Sequence, residues 1–261
     1  MSNILDDRAI IEIAGEDRKK FLQGLITNDV NKASATNLIY SAMLNAPGRF
    51  LYDFFIFEIG ETLFLDCFAA RRDEIFQKLT FYKLRSQVTL KKNDDLTILQ
   101  SFSSGQFADP RHLELGFRSY SSATSDISEN SYHSKRIALK IPESEHDLTY
   151  EKSFILEFDF DNLNAIDYQK GCYVGQELTA RTHYTGQIRK KLFHIKINTT
   201  ITPEKNSEIT CDAKPAGLIL SSIFFESELH ALALIKLPDS QNFDDFLQNL
   251  KFESHKIFIA S

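Results

Sequence analysis

The chain has 261 residues, of which 43% are hydrophobic and 25% charged, and its formal net charge is −6. This composition is that of an ordinary globular protein, and the length allows a large core in one or two domains. Its cysteines, Cys67, Cys172 and Cys211, form no CxxC pair, which argues against a disulfide framework, a structural zinc site and a self-contained four-cysteine cluster site.

The first residues, MSNILDDR, are acidic and resemble neither a signal peptide nor an arginine-rich transit peptide. Sparse, unpaired cysteines are typical of a reducing compartment. No stretch approaches the roughly 18 apolar residues that a membrane-spanning helix needs. The sequence therefore predicts a cytoplasmic protein.

The first half of the chain predicts strands interspersed with two helices. The predicted elements are a strand at 9–14, a helix opened by residues 15–17, strands at 38–44, 50–59 and 62–68, a helix at 70–84, and strands at 86–90 and 96–102. The strand at 50–59 has apolar residues on both faces, which predicts that both faces are buried. The polar residues 119–134 predict a loop.

Short alternating strands dominate the end of the chain, where proline-containing turns separate them. They are predicted at 192–197, 208–211, 216–221, 228–235 and 255–259. The pattern predicts an α+β body at 1–190 followed by a small C-terminal β-barrel at 191–261.

The strongest chemical signal is the segment KGCYVGQE at residues 170–177. A neighbouring ammonium such as Lys170 favours the thiolate of Cys172, and a polar helix predicted at 177–183 would bring its positive end near the sulfur. The alternative is a small cysteine buried in a turn. Besides Cys172, the candidate residues of this motif are Lys170, Gly171, Tyr173, Gly175, Gln176 and Glu177.

The charge is unevenly distributed around this motif. Residues 143–167 carry eight acids against one lysine, whereas residues 170–196 carry six bases against one glutamate. A local positive field suits a small anionic ligand better than duplex nucleic acid, and an ordinary mixed surface is the alternative.

The octapeptide resembles the KGCYxGQE signature of the YgfZ family, folate-binding proteins of iron–sulfur cluster assembly related to the glycine-cleavage T-protein. Other segments resemble the same family in the same order. They are GEDRKKFLQG at 15–24, TND at 27–29, LNAPGRFLYDF at 44–54, DPR at 109–111 and LGFR at 115–118. The resemblance runs from about residue 10 to residue 192.

This resemblance implies a T-protein-like folate-binding body, made of a sheet-and-helix part and a ferredoxin-like part, with the C-terminal barrel completing a central channel. It implies assembly or insertion of 4Fe–4S clusters into target enzymes, including tRNA-modifying radical-SAM proteins, beside an A-type iron–sulfur carrier. Such clusters usually need about four thiolates, so Cys172 would be one ligand of a shared cluster. Direct binding of nucleic acid or membrane is not expected.

Tetrahydrofolate is the cofactor that the resemblance implies. The candidate folate residues are Asp53, Thr27, Asn28, Asp29, Arg49, Glu157 and Arg181. Arg111 and Arg118 also lie in matched motifs, and guanidinium groups suit the carboxylates of folate. The alternatives are a structural role for Asp53, a helix-capping role for residues 27–29 and a surface position for Glu157.

A second functional hypothesis is a tetrahydrofolate-dependent aminomethyltransferase of T-protein type. T-protein has two adjacent aspartates where this chain has Tyr52-Asp53, and this hypothesis leaves Cys172 without a role. A stand-alone thiol redox enzyme lacks a resolving cysteine at close spacing.

Overall fold

A computed structural model describes residues 2–122, 130–186, 188–225, 227–238 and 242–260. The chain forms two compact units that alternate along the sequence. The first comprises residues 1–129, 150–152 and 160–181, and the second comprises residues 130–149, 153–159 and 182–261.

Two antiparallel sheets make up most of the first unit. Its elements in chain order are β1 (Ser2–Ile4), β2 (Arg8–Ala14), α1 (Arg18–Gln23), β3 (Ile39–Leu44), β4 (Phe50–Ile59), β5 (Thr62–Phe68), α2 (Arg72–Lys83), β6 (Thr89–Asn93), β7 (Thr97–Ser101), β8 (Phe107–Ala108) and β9 (Phe117–Ser121). The five-stranded sheet has the order β3-β4-β5-β2-β6, and the four-stranded sheet has the order β1-β7-β9-β8.

Strand β4 is the longest strand of the five-stranded sheet, and most of it is buried. Every residue from Phe50 to Phe57 is buried, so the predicted burial of both faces is confirmed. The side chains of one face, including Phe54 and Ile56, enter the apolar core that α1 and α2 cover. Burial on both faces explains why this strand is almost continuously apolar.

The second unit contains the predicted barrel. Its elements are α3 (Asn130–Ala138), α4 (Ser144–Asp147), β10 (Lys190–Ile197), β11 (Glu208–Cys211), β12 (Lys214–Phe225), β13 (Glu228–Lys236), α6 (Phe243–Gln248), β14 (Leu250–Phe252) and β15 (His255–Ile259), while α5 (Gln176–Thr185) runs from the first unit into the second. The strands close in the order β10-β13-β12-β11-β14-β15, which confirms the small C-terminal barrel.

The loop predicted at 119–134 is wrong at both ends. Strand β9 continues to Ser121, helix α3 begins at Asn130, and residues 123–129 of the predicted loop lie outside the described residues. Tyr120 on β9 and Tyr132 on α3 are 8% and 1% exposed. Each is a single buried aromatic side chain in an otherwise polar segment, so the sequence shows no periodic apolar pattern there.

The strand predicted at 86–90 begins three residues later, as β6 at Thr89, because residues 84–88 form the turn that leaves α2. Short elements such as β1, β14 and α6 were not predicted. Their few apolar residues give too short a pattern to recognise.

A buried pair of histidines lies in the barrel. His194 on β10 and His230 on β13 are linked by a hydrogen bond of 3.0 Å between Nε2 and Nδ1, and their rings stack with centroids 5.1 Å apart. Burial, reinforced by the positive field of His230 and Lys196, lowers the pKa of His194 to about 4.

This pair predicts a loss of stability in acid. The unfolded chain binds the His194 proton with a pKa near 6.5, so the stabilisation is fully present above that pH and is lost as the pH falls towards 4. We expect the thermal midpoint to fall less steeply over this range in His194→Gln, which keeps a hydrogen bond to His230 without titrating. Thermal unfolding followed by circular dichroism measures both slopes, and equal slopes would refute the assignment.

Candidate functional site

Cys172 lies in an exposed loop that precedes α5. Of the chain's cysteines, all of which are free, Cys67 and Cys211 are buried. Burial raises the pKa of Cys67 to about 12 and also raises that of Cys211. Both therefore remain neutral thiols near pH 7, and Cys172 is the one whose sulfur a partner can reach.

The loop is fixed on the N-terminal side of Cys172 by Lys170. The Lys170 ammonium donates to the carbonyls of Gln23, Ile26 and Asn28 at 2.8, 2.6 and 2.8 Å. These carbonyls belong to the end of α1 and the turn after it, so Lys170 ties the loop to that helix. Burial lowers the pKa of Lys170 to about 8, against the opposing fields of Asp29 and Asp167.

The prediction that Lys170 serves as the charge partner of the thiol therefore needs correction. Its ammonium is directed at three backbone carbonyls, and its main effect is to hold the backbone next to Cys172. The predicted helix begins one residue earlier than expected, at Gln176, and its first residue follows Cys172 by four positions.

Tyr173 and Val174 fix the loop on the other side of Cys172. Tyr173 is 8% exposed, and its ring centroid lies 5.2 Å from the Lys170 ammonium. The Val174 amide donates to the Gly24 carbonyl at 3.1 Å, and the Gln176 side-chain oxygen accepts from the Tyr173 amide at 3.2 Å. The thiol thus lies between two anchored neighbours.

Glycines bring the loop at residues 170–175, which we call the cysteine loop, against the turn at residues 45–48. Gly175 has φ +82°, and a Cβ there would lie 2.4 Å from the Asn45 carbonyl oxygen and 3.1 Å from the Cα of Gly48. Gly48 has φ +81°, and its Cβ would lie 2.9 Å from the Gly175 carbonyl oxygen. Two segments far apart in sequence therefore meet through backbone contacts that only glycine permits.

Gly175→Ala and Gly171→Ala form a matched pair. Gly175→Ala should lower the free energy of unfolding by roughly 2–4 kcal/mol, because it combines a strained φ with a steric clash. A Cβ at Gly171 meets nothing within 4 Å, so Gly171→Ala should fold like the wild type. Urea unfolding followed by circular dichroism compares them, and equal stabilities would contradict the packing described.

Thr27 and Asn28 hold the segment that leads into the cysteine loop. The Thr27 hydroxyl donates to the Ala165 carbonyl at 2.6 Å, and the Asn28 amide donates to the Asn164 carbonyl at 2.8 Å. The Asp167 amide donates to the Thr27 carbonyl at 3.1 Å. These two side chains support the segment before Cys172, and that is a structural role.

Asp29 completes the same turn. Its carboxylate accepts from the Asn31 amide at 3.0 Å and from the Gln23 side chain at 2.9 Å. Asp29 therefore caps the short turn after α1, which agrees with the capping alternative for residues 27–29.

Asp53 is buried within the five-stranded sheet. It is 3% exposed, and its Oδ2 accepts a hydrogen bond of 2.8 Å from the Tyr40 hydroxyl. Although burial alone would lower the pKa of Arg8, the negative charges of Asp66 and Asp53 raise it. The buried carboxylate and its hydrogen bond to Tyr40 agree with the structural alternative for Asp53, and its role in folate binding stays a prediction.

Three buried arginines surround the ring of Phe55. The guanidinium carbons of Arg8, Arg111 and Arg118 lie 5.3, 4.7 and 3.6 Å from its centroid. Arg111 and Arg118, which were candidates for binding folate carboxylates, are 3% and 1% exposed. Both are therefore part of the interior, where cations stack on an aromatic face.

Two aspartates bind these arginines in a continuous network. Asp66 accepts from Arg8 Nε at 2.6 Å and from Arg118 Nη1 at 3.1 Å. Asp109 accepts two hydrogen bonds from Arg111, at 3.0 and 2.9 Å, and lies 3.3 Å from Arg118 Nε. Although burial would raise the pKa of Asp109, the guanidiniums of Arg111 and Arg118 hold it below its usual value.

The other predicted residues are more exposed. Arg49 donates weakly to the Lys152 carbonyl at 3.5 Å, and Arg181 pairs with Glu177 on the surface of α5. Glu157 is half-buried in a short 3₁₀ turn of the second unit. Thr27, Asn28 and Asp29 support the backbone, and folate binding by these residues stays a prediction.

Arg8 and Asp66 were not among the residues predicted from the sequence. The available signal was an aspartate inside the apolar strand LFLDCF, because a carboxylate in such a strand needs a cationic partner. Nothing in the sequence identifies Arg8 as that partner.

The chain is similar in sequence to several curated proteins. The chain is 33% identical, over 226 residues, to the mitochondrial iron–sulfur cluster assembly factor IBA57 homolog of Neurospora crassa, covering 72% of this chain and 52% of that protein. It is 29% identical to mitochondrial IBA57 of Homo sapiens over 259 residues, covering 84% and 70%, and 28% identical to that of Mus musculus over 260 residues, covering 82% and 72%. Its relatives are iron–sulfur cluster assembly factors. No family model matches the chain.

The chain spans about half the length of the fungal relatives, with 52%, 57% and 55% of three of them covered. In structure it is similar to aminomethyltransferase T of the glycine cleavage system from Bartonella henselae, with a TM-score of 0.74 and 10% identity over all of this chain and 84% of that one. At this identity the likeness establishes the fold, so the predicted T-protein-like α+β fold is confirmed.

The predicted cytoplasmic location is contradicted by these relatives, whose names place them in mitochondria. The prediction depended on the first few residues and on the cysteine count, and neither decides where a chain of this fold works. Among the described residues, no helix has the length and apolar character to cross a membrane.

Proposed function

We propose that this protein assists the assembly or insertion of 4Fe–4S clusters into target enzymes, with Cys172 as one ligand of a cluster held jointly with a partner. The observation that carries the proposal is the position of Cys172. It is the exposed cysteine of the chain, and Lys170 and Tyr173 fix the backbone on both sides of it. The names of the relatives support the same process.

The chemistry required of Cys172 is a ligand exchange. Its thiol proton leaves to solvent, an Fe–Sγ bond forms, and one bond from that iron to a ligand of the partner breaks, without any change in oxidation state. A cluster usually needs about four thiolates, so the partner must supply the others. An A-type carrier is the proposed donor, and 4Fe–4S enzymes, including tRNA-modifying radical-SAM proteins, are the proposed recipients.

The anchored loop suits this exchange. A thiol on a freely moving loop would lose conformational freedom on binding, whereas one held between fixed neighbours loses little. Cys172 is exposed, and a Cβ on the preceding Gly171 would meet nothing within 4 Å, so the backbone next to the cysteine is open there. Because its relatives are named as mitochondrial proteins, we further propose that this protein works in mitochondria.

Tetrahydrofolate is retained as a proposed ligand because of the T-protein fold, but no step of the mechanism depends on it. Equilibrium titration with tetrahydrofolate tests this ligand. Asp53→Asn, which keeps an acceptor for Tyr40, should bind as the wild type does if Asp53 is structural. Failure of the folded wild type to bind would remove folate from the proposal.

The function is tested in cells that lack this protein. Their 4Fe–4S enzymes should lose activity while enzymes with 2Fe–2S clusters keep theirs, and restoring the gene should recover the lost activities. Normal 4Fe–4S activities in the deleted cells would contradict the proposal.

The T-protein fold makes aminomethyl transfer the second candidate. Incubating the purified protein with tetrahydrofolate and an aminomethyl-loaded lipoyl carrier discriminates between the two. We expect no methylenetetrahydrofolate, because the carboxylate of Asp53 is already engaged by Tyr40.

A further inference from the structure

The turn after α2 holds a leucine in a conformation that suits glycine. The Ser86 amide donates to the Lys83 carbonyl at 2.8 Å, which closes a turn with Leu84 as its second residue. Leu84 has φ 44° and ψ −110°, close to the first central position of a type II′ turn. Glycine dominates that position because a Cβ is strained there.

Among the described residues, little packing offsets this strain. Leu84 is 85% exposed, and Phe81 on the last turn of α2 is 74% exposed. Phe81 lies edge-on against the ring of Tyr82, with centroids 5.7 Å apart. Strained residues cluster at functional sites, and an exposed apolar side chain on such a residue points to a contact outside the chain.

A groove of about 810 Å³ runs beside this turn. We call it the α1–α2 groove. Its apolar lining includes Phe21 and Leu25 from α1 and its following turn, together with Tyr82 and Leu84. The groove is therefore shaped to receive one or two apolar side chains of a partner.

The charges around the groove are mainly basic. Lys20 and Arg85 line it, and both are exposed. The carboxylate of Asp17 is directed at the Gln87 amide, from which it accepts a hydrogen bond of 2.8 Å. The rim therefore favours a partner segment that carries carboxylates, although the protein as a whole is acidic.

The α1–α2 groove and the cysteine loop both contact the end of α1 and the residues that follow it. The loop binds the carbonyls of Gln23 and Gly24 through Lys170 and Val174, and the groove is lined by Leu25, the next residue along the chain. Val174 also packs against the apolar core to which Leu25 belongs. A protein that contacts Cys172 is thus within reach of the groove.

We propose that the α1–α2 groove docks the protein that shares the cluster with Cys172, through a segment that presents an apolar side chain flanked by carboxylates. This inference rests on the proposed function, since it identifies the docking surface for the partner required there. The groove provides affinity independently of the cluster, and Cys172 provides the iron ligand.

The test uses the intact protein and a purified, cluster-free A-type carrier, with affinity measured by titration calorimetry. Leu84→Gly should fold with a thermal midpoint equal to or above that of the wild type, yet bind the carrier at least tenfold more weakly. Leu113→Gly is the matched control, because Leu113 is 82% exposed and lies outside the groove, and it should bind as the wild type does.

Charge reversal supplies an independent arm of the test. The double variant Lys20→Glu, Arg85→Glu should weaken binding and remove its dependence on salt, because screening acts on exposed charge pairs. Lys91→Glu on β6 is the control, since Lys91 is exposed but does not line the groove.

The proposal is overturned if Leu84→Gly binds the carrier with wild-type affinity or if the folded wild type does not bind it. A wild-type dimer that Leu84→Gly dissociates would instead assign the groove to a second copy of this chain. The proposed function is tested separately, since Cys172→Ser should bind the cluster-free carrier normally. If Cys172→Ser retains the cluster while Leu84→Gly fails to bind, the role of Cys172 is wrong and the groove still stands.

Discussion

Cells whose only copy of this protein carries Cys172→Ser should show 4Fe–4S enzyme activities as low as those of cells that lack the protein. Serine has nearly the same volume, but its hydroxyl stays protonated near neutral pH and is a poor ligand for iron in a cluster. Because Cys172 is exposed, the variant should fold with an unchanged thermal midpoint.

Cys211→Ser is the matched control for this experiment. Cys211 is 8% exposed, and its Sγ lies 3.7 Å from the Phe246 carbonyl oxygen. Cells with Cys211→Ser should keep their 4Fe–4S activities. Full activity with Cys172→Ser at native expression would contradict the ligand role, whichever way the control behaves.

The second large effect is expected in the buried network around Phe55. Asp66→Asn should destabilise the protein by about 3–5 kcal/mol, because it leaves buried guanidiniums without their countercharge. Asp66 accepts from Arg8 at 2.6 Å, from Arg118 at 3.1 Å and from the Tyr120 hydroxyl at 3.0 Å. The single amide oxygen can accept from the donors on one side of the former carboxylate, and the amide N–H groups would then be directed at the donor or donors on the other side.

Asp73→Asn provides the comparison for Asp66→Asn. Asp73 also forms an ion pair, with Lys92 at 2.8 Å, but its side chain is 75% exposed. Solvent and salt screen such a pair, so the free energy of unfolding should stay close to that of the wild type. Because the chain has no tryptophan, circular dichroism in urea is the measurement. Equal effects of the two substitutions would refute the network.

Much of the fold could be predicted from periodicity. Strands such as β4 and β5 and the helix α2 show long apolar patterns, and the C-terminal strands alternate clearly between Pro-containing turns. The helix α3 could not be predicted, because its burial depends on Tyr132 and Arg136 contacting Glu143 and Asp147, which lie outside the helix, eleven residues further along the chain. Such polar tethers leave no periodic pattern.

The candidate site, like the fold, could be predicted only in part. The KGCYVGQE segment identified Cys172, because an eight-residue signature is specific. The roles of its neighbours could not be predicted, since Lys170 contacts carbonyls about 140 residues away in sequence, with separations of 147, 144 and 142. Likewise, the sequence around a single acid such as Asp53 is the same whether its carboxylate binds a ligand or accepts a hydrogen bond from the Tyr40 hydroxyl.

Cys172 is proposed to be a ligand of a cluster shared with a partner. The most direct measurement mixes a cluster-loaded A-type carrier with the wild type, Cys172→Ser or Cys211→Ser and isolates each complex by size-exclusion chromatography. Visible absorbance and iron content are then measured for each complex. We predict cluster absorbance in the complexes of the wild type and Cys211→Ser, and its loss from the complex of Cys172→Ser. Equal absorbance and iron content in all three complexes would contradict the claim.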